Sequence, residues 1–129
     1  MKGYVDNIER LTLQNETFRT VLYTTPRSQL VIMTLQPGED IGLETHEEHD
    51  QFIRVEAGTG EAVLNGVSHP VADGFAIVIP AGTEHNVKNT GSDVLRLYTL
   101  YTPPEHRHGV VHETKEGVEE EHFDGVTSK

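Results

Sequence analysis

Two histidine-containing segments hold the residues whose types and spacing could do chemistry. The first contains Glu44, His46 and Gln51, and the second contains His85. Glu44 and His46 are two positions apart, so in an extended strand both side chains project from the same face. Imidazole nitrogens and carboxylate oxygens are ligands for divalent transition metals. The chain has no cysteine, which excludes thiolate ligands, disulfide bonds and a thiol nucleophile.

Short strands are the elements that must position these residues. Apolar stretches of strand length alternate with turn residues, and none carries a sustained helical period. Asn65-Gly66 lies between two such stretches and predicts a two-residue hairpin turn of type I′. The predicted strands are residues 18–23, 30–35, 51–57, 61–65, 67–72, 76–79, 85–88 and 94–101. This pattern predicts an all-β sandwich or barrel.

The two segments resemble the paired signature motifs of the cupin superfamily. The first motif runs from Gly38 to Gly58, and the second runs from Gly74 to Asn89. The resemblance implies a small single-domain bacterial cupin of the RmlC-like kind. Its fold would be a jelly-roll barrel, also called a double-stranded β-helix. The barrel is expected over residues 15–102, preceded by an N-terminal arm at 1–14 and followed by a polar, His-rich C-terminal tail at 103–129.

The resemblance, carried over residue by residue, implies one divalent transition metal held by Glu44, His46, Gln51 and His85. Two positions depart from the usual cupin pattern, because Glu44 stands in place of a histidine and Gln51 in place of a glutamate. Two imidazoles and one carboxylate remain, which is the ligand set of non-haem Fe(II) sites, and the glutamine adds a neutral oxygen. Mn, Fe, Ni, Co and Zn all fit these donors.

Other histidines leave alternatives open. His49 is a rival ligand, since it lies three residues after His46. His106, His108 and His112 form a cluster near the C-terminus that we expect to be solvated surface. The barrel could also be metal-free, and the motif histidines would then be ordinary polar residues.

The resemblance implies a metal-dependent enzyme that acts on a small oxygenated molecule. The favoured reaction is isomerisation or a lyase reaction on a sugar, uronate or keto acid. Small cupins with glutamine as the fourth ligand resemble this branch, including those that open unsaturated uronates. A non-haem metal dioxygenase and a non-catalytic module that binds a metal or small ligand are the alternatives. No catalytic base is fixed by the sequence, and Glu48 and Tyr101 are guesses for that role.

Composition narrows the class of partners. A chain of 129 residues fits one domain, and its net charge of −11 disfavours nucleic-acid binding. No apolar run is long enough to span a membrane and no signal-peptide core is present, so we predict a cytoplasmic protein with a small-molecule ligand. An apolar N-terminal arm with Val5, Ile8, Leu11 and Leu13, together with Phe52 on an outer face, predicts a homodimer.

Overall fold

Antiparallel strands dominate the computed structural model, which describes all 129 residues, Met1–Lys129. One short helix, α1, precedes ten strands. The helix is Ile8–Gln14, and the strands are β1 Arg19–Thr24, β2 Gln29–Leu35, β3 Glu44–Thr45, β4 Asp50–Ala57, β5 Thr59–Leu64, β6 Val67–Ala72, β7 Ala76–Ile79, β8 Glu84–Lys88, β9 Leu95–Thr102 and β10 Val111–His112. No helix is both long enough and apolar enough to cross a membrane.

The strands form two sheets that enclose one core. The first sheet has the order β10-β1-β2-β9-β4-β7, and the second has the order β3-β8-β5-β6. A cluster of 16 buried apolar residues, drawn from both sheets, fills the interior. Mixed sequence order within each sheet and antiparallel pairing throughout give the predicted jelly-roll barrel, so the all-β fold class is confirmed.

Alternation along the strands decides which side chains enter the barrel. On β9, Leu95, Leu97, Thr99 and Tyr101 are buried, while the residues between them are at least partly exposed. Gln51 follows the same rule on β4. Because successive side chains in a strand point to opposite faces, these positions line the interior.

The predicted hairpin turn is also confirmed. Leu64 pairs with Val67, and the two residues between these strand ends have positive φ angles, 49° at Asn65 and 80° at Gly66. Both values are those of a type I′ turn, which matches the twist of the strands on either side.

The N-terminal segment contains a helix that the sequence did not predict. The Asn7 side chain accepts a hydrogen bond from the backbone N–H of Arg10 and so caps α1. The helix packs on β2, β4 and β9 of its own chain. The arm was expected to pack on the barrel or on a partner, and in the single chain Val5 is fully exposed and Leu13 is 37% exposed. A helix of seven residues is too short to show an apolar period.

Residues after β9 return along the barrel. The backbone N–H of Ser128 donates to the carbonyl of Thr24, and that of Val21 donates to the carbonyl of Val110. β10 pairs with β1, which extends the first sheet by a strand of two residues. These contacts hold the C-terminal segment, residues 103–129, against the barrel.

We expect a large loss of stability when Gly58 is replaced by alanine. Gly58 has a φ of +94°, and a Cβ atom there would lie 2.4 Å from the carbonyl oxygen of Val94. Left-handed strain of about 1–2 kcal/mol and overpacking of about 1–3 kcal/mol should together lower the free energy of unfolding of Gly58→Ala. Urea unfolding measures this change. Gly74→Ala is the matched control, because φ is +86° there and nothing lies within 4 Å of the added methyl group. Equal losses in the two variants would contradict the prediction.

Candidate metal centre

The pairing of β3 with β8 brings the two motifs together. Glu44 is the register partner of His85, and the Oε2 atom of Glu44 lies 2.8 Å from Nε2 of His46. One ligand atom from each of these three residues lies within 4.8 Å of the other two. Three of the four predicted ligands therefore converge at one point, and they supply two imidazoles and one carboxylate.

Both histidine rings are oriented by contacts at Nδ1. His85 donates from Nδ1 to the carbonyl oxygen of Thr83 at 2.8 Å. Nδ1 of His46 lies 3.6 Å from Oε2 of Glu105. Metal-binding histidines characteristically have one ring nitrogen held by a carbonyl or carboxylate, which leaves the other nitrogen for the ion. In both residues Nε2 is the nitrogen left for the ion.

Gln51 is buried in the barrel with half of its amide unpaired. Its Nε2 donates to Oγ1 of Thr99 at 3.0 Å, but its Oε1 atom is buried without a hydrogen-bond donor. A buried acceptor without a partner costs about 1–3 kcal/mol. A cation is a partner that would satisfy this oxygen, so the residues present fit a divalent ion.

Glu44 and His46 form a hydrogen-bonded pair at 2.8 Å. Burial is the largest single effect on the pKa of Glu44 and opposes its ionisation, but the hydrogen bond from His46 and the charges of His46, Arg19 and His85 together outweigh it and hold the pKa of the carboxyl below its usual range. The same hydrogen bond raises the pKa of His46 against the effect of burial, and the charge of Glu105 adds to the rise. A metal cation would stabilise the ionised carboxylate as this hydrogen bond does.

A polar cavity of about 400 Å³ opens beside these ligands. No apolar side chain lines it. The lining residues are Glu44, Thr45, His46, Glu105, Glu120 and His122. Half of this lining comes from the C-terminal segment, which the sequence predicted only as a polar tail. The surplus of acids and histidines after Thr102 was the one feature of the sequence that could have indicated this contribution to the cavity. No regular spacing connects those residues to the two motifs.

His49 lies beside the centre, with both ring nitrogens engaged by the chain. Its Nε2 is 2.9 Å from Oε2 of Glu105, and its Nδ1 is 2.8 Å from the carbonyl oxygen of Pro103. This rival ligand therefore contacts the carboxylate that orients His46. It is not one of the three residues whose ligand atoms converge.

His106 corrects the prediction that the C-terminal histidines are solvated. It is only 3% exposed, and its Nε2 lies 3.3 Å from the hydroxyl of Tyr101. Burial lowers the pKa of His106 to about 2, so this ring is neutral. Burial also raises the pKa of Tyr101, which keeps the hydroxyl protonated and argues against Tyr101 as a catalytic base. The prediction failed because packing of the C-terminal segment on the barrel leaves no local periodic pattern.

Comparison with known proteins gives matches in sequence. Residues 31–101 match the sequence profile of the family described as Cupin domain. The protein YrkC of Bacillus subtilis is 50% identical over 120 residues, which cover 88% of this chain and 64% of YrkC. The chain thus matches slightly less than two thirds of the length of that relative.

Solved structures match the fold as well. A protein from Bacillus halodurans is 48% identical, with a TM-score of 0.87 over 88% of this chain and 91% of the other. A Thermotoga maritima protein, described as a predicted oxalate decarboxylase, is 27% identical, with a TM-score of 0.57 over 58% of this chain and 65% of the other.

Proposed function

The chain belongs to the cupin family, and on that premise we propose that it is a metal-dependent enzyme acting on a small oxygenated molecule. The proposed reaction is isomerisation or a lyase reaction on a sugar, uronate or keto acid. One observation carries the proposal: Glu44, His46 and His85 converge, and two of them, Glu44 and His46, line a cavity that has no apolar lining. A wall of carboxylates and imidazoles suits a ligand rich in oxygen.

In this proposal Glu44, His46 and His85 hold one divalent ion, and Gln51 contributes its unpaired Oε1 as a weak fourth ligand. A bound divalent ion supplies Lewis-acid polarisation of the substrate oxygens beside it. The chain's own residues do the positioning. The carbonyl of Thr83 fixes the ring of His85, and Glu105 lies against the ring of His46.

The likeness to the Thermotoga maritima protein supports a lyase. That protein is described as a predicted oxalate decarboxylase, and removal of a carboxyl group is a lyase reaction on a small acid. Two imidazoles and one carboxylate equally favour a second candidate, a non-haem dioxygenase. A module that binds a metal or small ligand without turnover is the third.

Metal analysis and turnover together separate these candidates. We expect untagged protein, purified without added metal, to carry one equivalent of a transition metal from the group Mn, Fe, Ni, Co and Zn. Incubation with sugar acids and keto acids should then give product under argon as well as under air. Product formed only under air would indicate a dioxygenase and not a lyase. Metal without any turnover would favour the binding module, and protein without metal that gains none on incubation would contradict the proposal.

Substitutions at Gln51 test the fourth ligand. Its amide oxygen is neutral, so Gln51→Ala should lower metal affinity by less than removal of either motif histidine. Gln51→Glu adds a negative charge at the same position and should bind the ion at least as tightly. Metal content after identical dialysis measures both variants, with Asn89→Ala as a control at a buried amide that bonds the carbonyls of Leu35 and Asp93. A Gln51→Ala loss as large as that of His85→Ala would contradict the assignment of a weak ligand.

We also propose a homodimer, on different grounds from those in the sequence. The N-terminal helix packs on strands of its own chain, so the proposal does not rest on that segment. Exposed apolar side chains lie on the edge strands β6 and β7 and on the loop between them, where Val67 is 56%, Phe75 49% and Val78 65% exposed. Light scattering is expected to give twice the chain mass of 14.4 kDa. A mass of one chain at micromolar concentration would contradict this.

A cytoplasmic location, and the division into an arm at residues 1–14, a barrel at 15–102 and a tail at 103–129, belong to the same proposal and stay predictions.

A further inference from the structure

Two buried nitrogen groups beside the cavity lack hydrogen-bond partners. Arg19 points inward from β1 and is 1% exposed, yet its Nε atom has no acceptor. Nδ1 of His106 is likewise buried and unpaired. An unpaired buried donor is costly, and a buried guanidinium is more so because it is always charged. Each of these two nitrogens therefore lacks the acceptor that a buried donor needs.

Glu120 contacts both side chains only loosely. Its Oε2 atom is 3.4 Å from Nη1 of Arg19 and 3.8 Å from Nδ1 of His106, and its side chain is 44% exposed. Charge-assisted hydrogen bonds between such groups normally measure about 2.7–2.9 Å. The guanidinium also forms a hydrogen bond to Nδ1 of His112 at 3.2 Å and lies 5.2 Å from the centre of the Phe18 ring. Arg19 is therefore a buried cation without a close anionic partner.

His106 offers a donor toward the same carboxylate. The ring is neutral, and the protonated hydroxyl of Tyr101 lies 3.3 Å from Nε2. In the tautomer in which this hydroxyl donates to Nε2, the ring proton is on Nδ1, the atom that faces Glu120. Arg19 and His106 then present two donors to one carboxylate position.

We propose that Arg19 and His106 form a subsite for the carboxylate group of a small acid, and that Glu120 occupies it until such an acid displaces Glu120. Glu120 also lines the cavity that contains Glu44 and His46, so an acid anchored here would direct its other oxygens to the metal centre. The inference deepens the proposed function, since it selects sugar acids and keto acids over neutral sugars. The planar fork of arginine matches a carboxylate in two-point contact.

Calorimetric titration with D-glucuronate tests this subsite, with D-glucose as the neutral counterpart. Wild-type protein should bind glucuronate and show no saturable binding of glucose. Glu120→Gln removes the competing charge and should bind glucuronate about fivefold or more tightly than wild type. Arg19→Lys keeps the charge but loses the fork, so its affinity should fall about tenfold. Glu119→Gln is the matched control, because this exposed carboxylate lies next to Glu120 in the sequence but outside the cavity lining, and should leave affinity unchanged.

The half-exposed position of Glu120 keeps the test valid even if Arg19→Lys fails to fold. If Glu120 only ties the C-terminal segment to the barrel, Glu120→Gln will bind glucuronate no more tightly than wild type, and the proposal is overturned. Equal binding of glucose and glucuronate, or no binding of glucuronate by any variant, overturns it as well.

Repeating the titration in chelator-treated protein separates this inference from the proposed function. The arginine subsite needs no metal, so dependence of binding on Arg19 and Glu120 should persist there even if no turnover is ever found. Conversely, turnover of a sugar acid with affinity unchanged in Glu120→Gln and Arg19→Lys would overturn the subsite and leave the proposed enzyme in place.

Discussion

Replacing His85 or His46 by alanine is expected to lower the affinity for the metal ion by more than about 100-fold. Loss of a residue that only hydrogen-bonds to a metal ligand typically lowers metal affinity about 10- to 100-fold, and loss of a ligand itself should cost more. Each imidazole supplies one of three converging ligand atoms, and the remaining pair would be a single histidine with Glu44. Metal content after identical dialysis, followed by titration of the stripped protein with Zn²⁺, measures the loss.

A histidine outside the centre supplies the control. His69 is exposed on β6 and belongs to no converging group, so His69→Ala should keep the full metal equivalent. Far-UV circular dichroism of each variant establishes that the barrel is folded. If folded His46→Ala and His85→Ala both retain one equivalent, the ion is bound elsewhere and the assignment of this centre is wrong.

Much of the barrel could be predicted from the sequence because its strands have one buried face. The inward set on β9 follows from a single observation, that Arg96 faces out, since the side-chain period of a strand is two. The turn at Asn65-Gly66 follows from its two positive φ angles. Strands of two residues, such as β3 and β10, carry no such period and could not be found in this way.

The convergence of Glu44, His46 and His85 was predictable for a related reason. Glu44 begins β3 and His46 directly follows the last residue of that strand, and the resemblance of the two motifs brings His85 beside them. Glu105, Glu120 and His122 escaped prediction because they reach the cavity through the path of the C-terminal segment. That path depends on contacts between residues far apart in the chain, such as Ser128 with Thr24, and no local pattern encodes it.

Glu105 is the residue outside the ligand set whose loss we expect to matter most for metal binding. It is nearly buried, and it serves three histidines: Oε2 lies 2.9 Å from His49 Nε2 and 3.6 Å from His46 Nδ1, and Oε1 lies 3.2 Å from His122 Nδ1. A carboxylate behind a ligating imidazole fixes the ring and makes its free nitrogen a stronger donor. Glu105 thus acts on the ion through His46 and is a positioning residue.

Glu105→Gln keeps the shape and one acceptor but removes the charge, so we expect metal affinity to fall about 10- to 100-fold, less than for His46→Ala. Titration of stripped protein with Zn²⁺ measures this, and urea unfolding of the same metal-free samples shows whether the barrel itself has weakened. Glu119→Gln is the control, because that exposed carboxylate lies in the same segment and outside the cavity lining. Positioning predicts lower affinity with little change in metal-free stability. If Glu105 acts only in packing, Glu105→Gln should lower the stability of the metal-free protein, because the C-terminal segment would fit the barrel less well. Metal affinity should then stay unchanged, because the contact with Glu44 would be enough to orient His46.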